Sequence, residues 1–259
     1  MDLVHVVADG PLLLIKLNRP GKLNALTPQM YHVIGKALWR LNRDAQLRVA
    51  VLHGEGPHFT AGLELDLWAD AFTSGTPFAG ADDEIDLFGL TGERHAKPLV
   101  IAVQGYCFTW GVEALLNTEI RIAARDTQFQ MLEVRRGIYP CGGATLRLPR
   151  EVGWGNAHRV LLTGERWSAE EAHRWGMVQE LVEPGAQLAK ALECARAVAA
   201  AAPLGVQGCL KATRTGLGAD HDAAVGQMFR DLVPVMKSAD AAEGVRSFLE
   251  RRPANFTGR

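Results

Sequence analysis

Two glutamates, Glu113 and Glu133, lie twenty positions apart, each among small and apolar residues. Glu113 ends a run that begins at Gly105 and passes through Trp110 and Gly111. Glu133 follows Met131-Leu132 and precedes Val134, with Gly137 and Pro140 close behind. Paired carboxylates in apolar surroundings can hold one proton and one water for acid/base work, because burial disfavours their charged forms. The competing reading is that each is only an acid at a helix start, where the helix dipole favours negative charge. Arg135 and Arg136 would depress the proton affinity of Glu133 if they turned inward; they are expected to face solvent.

Two glycine-containing loops offer a partner for that chemistry. The stretch from Gly54 to Leu65 reads as a strand end, a turn, and small residues (Ala61, Gly62) opening a helix. Trp110-Gly111 follows a second apolar strand in the same way. Backbone amides at such junctions face an anion, and two junctions converging would stabilise negative charge developing on a carbonyl oxygen.

Other chemistries lack their residues. There is no G-x-G-x-x-G, no G-x-x-x-x-G-K-[ST] and no H-E-x-x-H, and no serine lies in G-x-S-x-G. His53 and His58 flank a turn and read as loop residues rather than metal ligands, so no metal is expected. A formal charge of −1 supplies no field for nucleic acid. No apolar run approaches the roughly 20 residues of a membrane span, so no membrane partner is expected. Cys107, Cys141, Cys194 and Cys209 are scattered as reduced thiols are, and the N-terminal residues carry no secretory pattern. The expected compartment is the cytoplasm.

The elements that must position the glutamates belong to an α/β chain. Leu12–Leu17 is strand-like, and Thr27-Pro28 reads as an N-cap with proline at the first helical position. Met30, Ile34, Leu38 and Leu41 then recur at helical spacing, and 47–52 forms the next strand. This strand–helix–strand order predicts parallel pairing. Residues 66–95, with Gly75, Pro77 and Gly80, read as a mobile loop. Leu99–Val103 and Ile120–Ala123 are further strands, and Ser168 with Glu171 forms a capping box. From about residue 186 the chain is alanine-rich and helical to its end.

Several segments in one order carry a resemblance. They are Asn18 to Leu26, His58 to Leu65, Lys97 to Glu113, Phe129 to Leu148, Leu161 to Val178, and Phe248 to Phe256. Together they span nearly the whole chain, which resembles the crotonase, or enoyl-CoA hydratase/isomerase, superfamily. The resemblance implies a spiral of repeated ββα units over residues 1–195, holding an acyl-CoA site. A C-terminal helical region, 196–259, would build homotrimers or hexamers. It implies backbone amides of Leu63 and Trp110 as the oxyanion hole, with Lys22, Leu23, Ala61, Leu63 and Phe256 at the coenzyme A. Glu113 and Glu133 match the catalytic pair, Glu113 for water activation and Glu133 for proton transfer at the α-carbon. The implied activity is hydration of a trans-2-enoyl-CoA in fatty acid metabolism, with no cofactor because coenzyme A is part of the substrate. The alternatives are an isomerase, decarboxylase or thioester hydrolase on the same site, a non-catalytic acyl-CoA-binding scaffold, or an RNA-binding relative.

The chain departs from the family at Phe108-Thr109-Trp110-Gly111, where consecutive glycines are common. The Trp110 indole is expected either to shape the acyl pocket or to pack as core. Glu64 and Glu119, where Asp is frequent, are expected to be structural.

Overall fold

A computed structural model of the chain describes residues 2–68, 71, 81–218 and 221–259. The loop expected around Gly75, Pro77 and Gly80 lies outside the described residues.

A six-stranded sheet forms the frame, with order β1-β2-β3-β4-β6-β9. Its strands are β1 (Val4–Asp9), β2 (Leu12–Leu17), β3 (Val49–Gly54), β4 (Leu99–Val103), β6 (Ile120–Ala124) and β9 (Glu180–Val182). β1 and β2 form an antiparallel hairpin, and every later pairing in the sheet is parallel. Side chains alternate faces along a strand, so a strand buried on both sides reads as continuously apolar. Leu99, Ile101 and Val103 of β4 enter one core, and Val100 and Ala102 enter the other.

Helices cover both faces. α1 (Pro28–Arg43) is capped by Thr27, whose Oγ1 accepts from the Met30 N–H, and buries Met30, Ile34, Leu38 and Leu41 in the larger core. On the other face, α6 (Gln187–Ala200) presents Ala191, Ala195 and Ala199 to Val49, Val51, Val100 and Ile122. Alanine at four-residue spacing leaves a smooth stripe, so the helix packs flush against the valine-rich face. The expected boundary at 195/196 falls inside α6, which continues unbroken into this second core.

A smaller sheet, β5-β7-β8, carries the site: β5 (Tyr106–Phe108), β7 (Gln128–Gln130) and β8 (Arg166–Ser168). β4 leads through Gly105 into β5 and then α2 (Trp110–Leu116); β6 leads in the same way into β7. These two spiral turns therefore each supply one strand to each sheet. α3 (Ala144–Val152), α4 (Trp154–Thr163) and α5 (Ala169–Arg174) close the turns. The capping box at Ser168 and Glu171 is present at the start of α5. α7 (Pro203–Gly216), α8 (His221–Met236) and α9 (Ala239–Glu250) follow α6, and no strand occurs after Val182 among the described residues.

The opening expected of a helix after Gly62 is a single 3-10 turn, Leu65–Leu67, in the described residues. The chain there is held by a bridge between Leu26 and Leu63 rather than by helical bonds.

Candidate active site

One open cavity of about 180 Å³ gathers Ala61, Gly62, Leu63, Thr109, Trp110, Glu113 and Glu133, closed by Leu65, Leu132, Ile138 and Tyr139. A cavity of about 150 Å³ holds benzene, so this one has room for a short acyl group and its thioester. Most of a coenzyme A would have to lie outside it.

Glu113 sits in the first turn of α2 and is 3% exposed. Its Oε1 accepts from the Ala144 N–H at 3.2 Å, and the Gly142 N–H also donates to it. A Cβ at Gly142 would collide with this carboxyl, so the close approach requires glycine. Burial raises the Glu113 proton affinity to about 8, with the Glu133 charge adding to the rise and the two N–H groups opposing it. Glu133 opens a 3-10 turn, Glu133–Arg136, and burial raises it to about 7. Its Oε2 is buried with no hydrogen-bond partner among the described residues. The two acids therefore line one cavity with raised proton affinities, and both also sit in the first turn of a helix, as the competing reading expected.

Leu63 and Trp110, whose amides the resemblance implies as an oxyanion hole, also line the cavity. Leu26 N–H donates to Gly62 O at 2.9 Å and Glu64 N–H donates to Leu26 O at 3.1 Å. In a parallel bridge of this kind the N–H of the intervening residue, Leu63, points away from its partner. Trp110 is the first residue of α2, where an N–H has no intrahelical acceptor. Neither amide meets an acceptor among the described residues. Thr109, just before Trp110, takes φ 50° and ψ −113°. That region favours glycine and costs a residue such as threonine about 1–3 kcal/mol. The Thr109 N–H donates to Gln130 O at 2.8 Å, which pins this turn to β7.

The Trp110 indole is 1% exposed, tilted against Phe59 with ring centroids 5.8 Å apart. Its Nε1–H donates to Gly62 O at 2.9 Å. The residue thus belongs to the larger core and also lines the cavity.

Lys22, Leu23 and Ala61 form one neighbourhood. Leu23 follows the exposed 3-10 turn Pro20–Lys22, and its carbonyl accepts from the Ala61 N–H at 2.9 Å. Asn24, fully buried at φ 52°, ties this loop down by donating to Glu55 O and His58 O, both at 2.9 Å. Only Ala61 and Leu63 of the expected coenzyme contacts line the cavity itself. Phe256 lies on the C-terminal tail near Gly244, its carbonyl held by the Arg48 guanidinium, and does not line the cavity of its own chain.

Cys141 and Arg136 line the cavity without having been expected there. Cys141 lines the mouth, its thiol pushed up to about 11 by burial and by both glutamates. Arg136 is exposed as expected yet lines the mouth as well, while Arg135 donates from Nε to Thr163 O at 2.9 Å. His53 and His58 are partly buried, not free loop residues. His53 lies in β3 with its proton affinity lowered to about 4, chiefly by burial. His58 accepts from the Tyr106 N–H through Nδ1 and stacks on that ring. Glu119 is structural, accepting from Leu99 N–H and Arg214. No cluster of metal-ligating side chains occurs among the described residues.

A two-sheet spiral with two buried acids and two unpaired amides among the residues of one cavity is a fold of the crotonase type. The enoyl-CoA hydratase/isomerase family model matches residues 8–259, and the chain belongs to that family. It is 34% identical over 255 residues to enoyl-CoA hydratase EchA19 of Mycobacterium tuberculosis, covering 96% of this chain and 94% of the relative. It is also 34% identical over 266 residues to a carnitinyl-CoA dehydratase of Salmonella arizonae, covering 98% of each. Among solved structures, a probable enoyl-CoA hydratase/isomerase from Mycobacterium abscessus superposes with a TM-score of 0.95 at 42% identity, covering 99% of both chains.

Proposed function

We propose that the protein adds water across the double bond of a trans-2-enoyl-CoA thioester. The observation that carries this reading is the meeting of Glu113 and Glu133 in one cavity, both with proton affinities raised to near neutral. The relatives named above are a hydratase and a dehydratase, the two directions of one water addition.

In this reading the thioester oxygen accepts from the Leu63 and Trp110 N–H groups. The Glu113 carboxylate takes a proton from water as its oxygen bonds to the β-carbon, and the π electrons move toward the thioester as an enolate. Protonated Glu133 then gives its proton to the α-carbon. The pair holds one proton before and one after, and transfer between the two acids resets it. Taken singly, the higher value would put that proton on Glu113. Part of the Glu113 rise is the charge of Glu133, however, and this vanishes once Glu133 is protonated. Two N–H donors then favour the Glu113 carboxylate, against one, its own N–H, for Glu133, whose Oε2 has no partner among the described residues.

Coenzyme A would run from the cavity mouth past Ala61, Leu23 and Lys22, and the reaction needs no metal or further cofactor. We place the enzyme in the cytoplasm, acting on fatty acyl groups; among the described residues no helix is long and apolar enough to cross a membrane. Exposed Phe229, Leu232, Val233 and Met236 on α8, with Phe248 and Leu249 on α9, would be covered in a homotrimer or hexamer. In such an assembly Phe256 would meet the coenzyme of a neighbouring copy. The test is the loss of enoyl-thioester absorbance when the protein is added to trans-2-enoyl-CoA substrates. A product with the double bond moved to the next position would favour isomerisation, and no loss at any chain length would exclude hydration.

A further inference from the structure

The residue that replaces glycine in the second loop has two functional ends. The residue lines the cavity with a backbone N–H that meets no acceptor among the described residues, and its side chain reaches the peptide that carries the other candidate donor. Trp110 Nε1 donates to Gly62 O at 2.9 Å, and that oxygen also accepts from Leu26 N–H at 2.9 Å. A peptide is planar and trans, so fixing the Gly62 carbonyl on one side fixes the Leu63 N–H on the opposite side. Thr60 Oγ1 adds a longer bond to the same oxygen at 3.4 Å, and the two short donors leave that plane little freedom to rock.

The surroundings make the tie short and stiff. Gly62 takes φ 121°, and a Cβ there would lie 2.8 Å from Thr109 Oγ1. The loops therefore touch at the residues that immediately precede the two donors. Thr109 holds φ 50° and the indole is buried against Phe59, so both ends of the tie are packed. The indole hydrogen bond closes a loop of contacts running from Leu63 through Gly62 to Trp110. A glycine at position 110 could supply the backbone N–H and could not supply this bond.

We propose that Trp110 is a positioning residue, whose indole N–H sets the spacing and direction of the Leu63 and Trp110 amides toward a thioester oxygen. The proposal rests on the reading that the cavity binds an acyl-CoA thioester, and it does not require that the bound thioester be hydrated. Polarisation of a carbonyl depends steeply on donor geometry, so a slackened pair weakens the hole without emptying the site.

The measurement is the carbonyl stretch of a bound thioester, read by isotope-edited difference infrared spectroscopy with a 13C-labelled enoyl-CoA on Glu113→Gln protein. In that background the wild-type Trp110 is expected to lower the stretch relative to free thioester. Trp110→Phe keeps a ring and removes the N–H, and the shift should shrink while the dissociation constant changes less than about threefold. In the protein with both glutamates intact, kcat should fall at least about tenfold with KM nearly unchanged, short of the about 10²–10³-fold cost of deleting a donor. Should Trp110→Phe fold poorly, site-specific replacement of Trp110 by benzothienylalanine keeps the ring shape and puts sulfur in place of N–H. Phe59→Leu is the packing control: it should lower the melting temperature and leave the carbonyl shift intact. An unchanged shift in either Trp110 variant overturns the proposal. No shift with the native Trp110 overturns instead the thioester reading on which it rests.

Discussion

Replacing Glu113 with glutamine removes an ionisable group and nearly preserves its shape. In the folded protein this carboxyl is raised from 4.5 to about 8, first by burial and then by the Glu133 charge. A raised carboxyl means the folded state binds more protons than the unfolded state between those values. Stability from this group is therefore complete below about pH 4.5, declines as pH rises, and is lost above about pH 8. At about 1.36 kcal/mol per pH unit, the full excursion is about 5 kcal/mol. This is an upper limit, because part of the rise is shared with Glu133. Glutamine does not titrate, so Glu113→Gln is less stable than wild type in acid, where it mismatches the Gly142 N–H. It gains on wild type as pH rises. For a chain of this size about 5 kcal/mol corresponds to a relative gain of about 10 °C in melting temperature. Thermal melts of both proteins from pH 5 to pH 9 read that difference directly. Parallel curves across the range would refute the claim that Glu113 is buried with a raised proton affinity. Activity in the same variant should fall about 10²–10⁴-fold, as loss of a general acid/base group does.

Two further substitutions separate the site from its supports. Gly62→Ala puts a methyl at φ 121° and 2.8 Å from Thr109 Oγ1, so it should cost about 1–3 kcal/mol in chemical denaturation and lower kcat as the loops part. Glu119→Ala leaves Arg214, His95 and the Leu99 N–H without their carboxylate and should cost about 1–3 kcal/mol. Per folded molecule its steady-state activity should match wild type, because Glu119 lies outside the cavity.

What was legible in the sequence is what local chemistry decides. β2 occupies Leu12–Leu17 as its apolar run predicts, α1 begins at Pro28 with Thr27 as its cap, and Ser168 with Glu171 caps α5. Glu113 and Glu133 stood out because two carboxylates among apolar residues are conspicuous in any register. The short strands β5, β7 and β8 have three residues each, too few for a period-2 pattern, and only their pairing across the spiral defines them. Small residues after Gly62 mimic a helix start, but the bridge to Leu26 satisfies the backbone first. Arg136 and Cys141 reach the cavity mouth through an irregular turn after Glu133, where no spacing foretells direction. The direction of the Trp110 indole depends on Gly62, forty-eight positions earlier, and no local rule contains it.

The central claim is that one proton shared by Glu113 and Glu133 is spent on the α-carbon while water bonds to the β-carbon. It is tested most directly by mass spectrometry of the product formed from a trans-2-enoyl-CoA in H₂18O and, separately, in D₂O. The account predicts a 3-hydroxyacyl-CoA carrying one 18O at the β-carbon and one deuterium at the α-carbon, with both labels lost in Glu113→Gln and Glu133→Gln. Turnover without 18O in the product, or undiminished labelling in either variant, would contradict it.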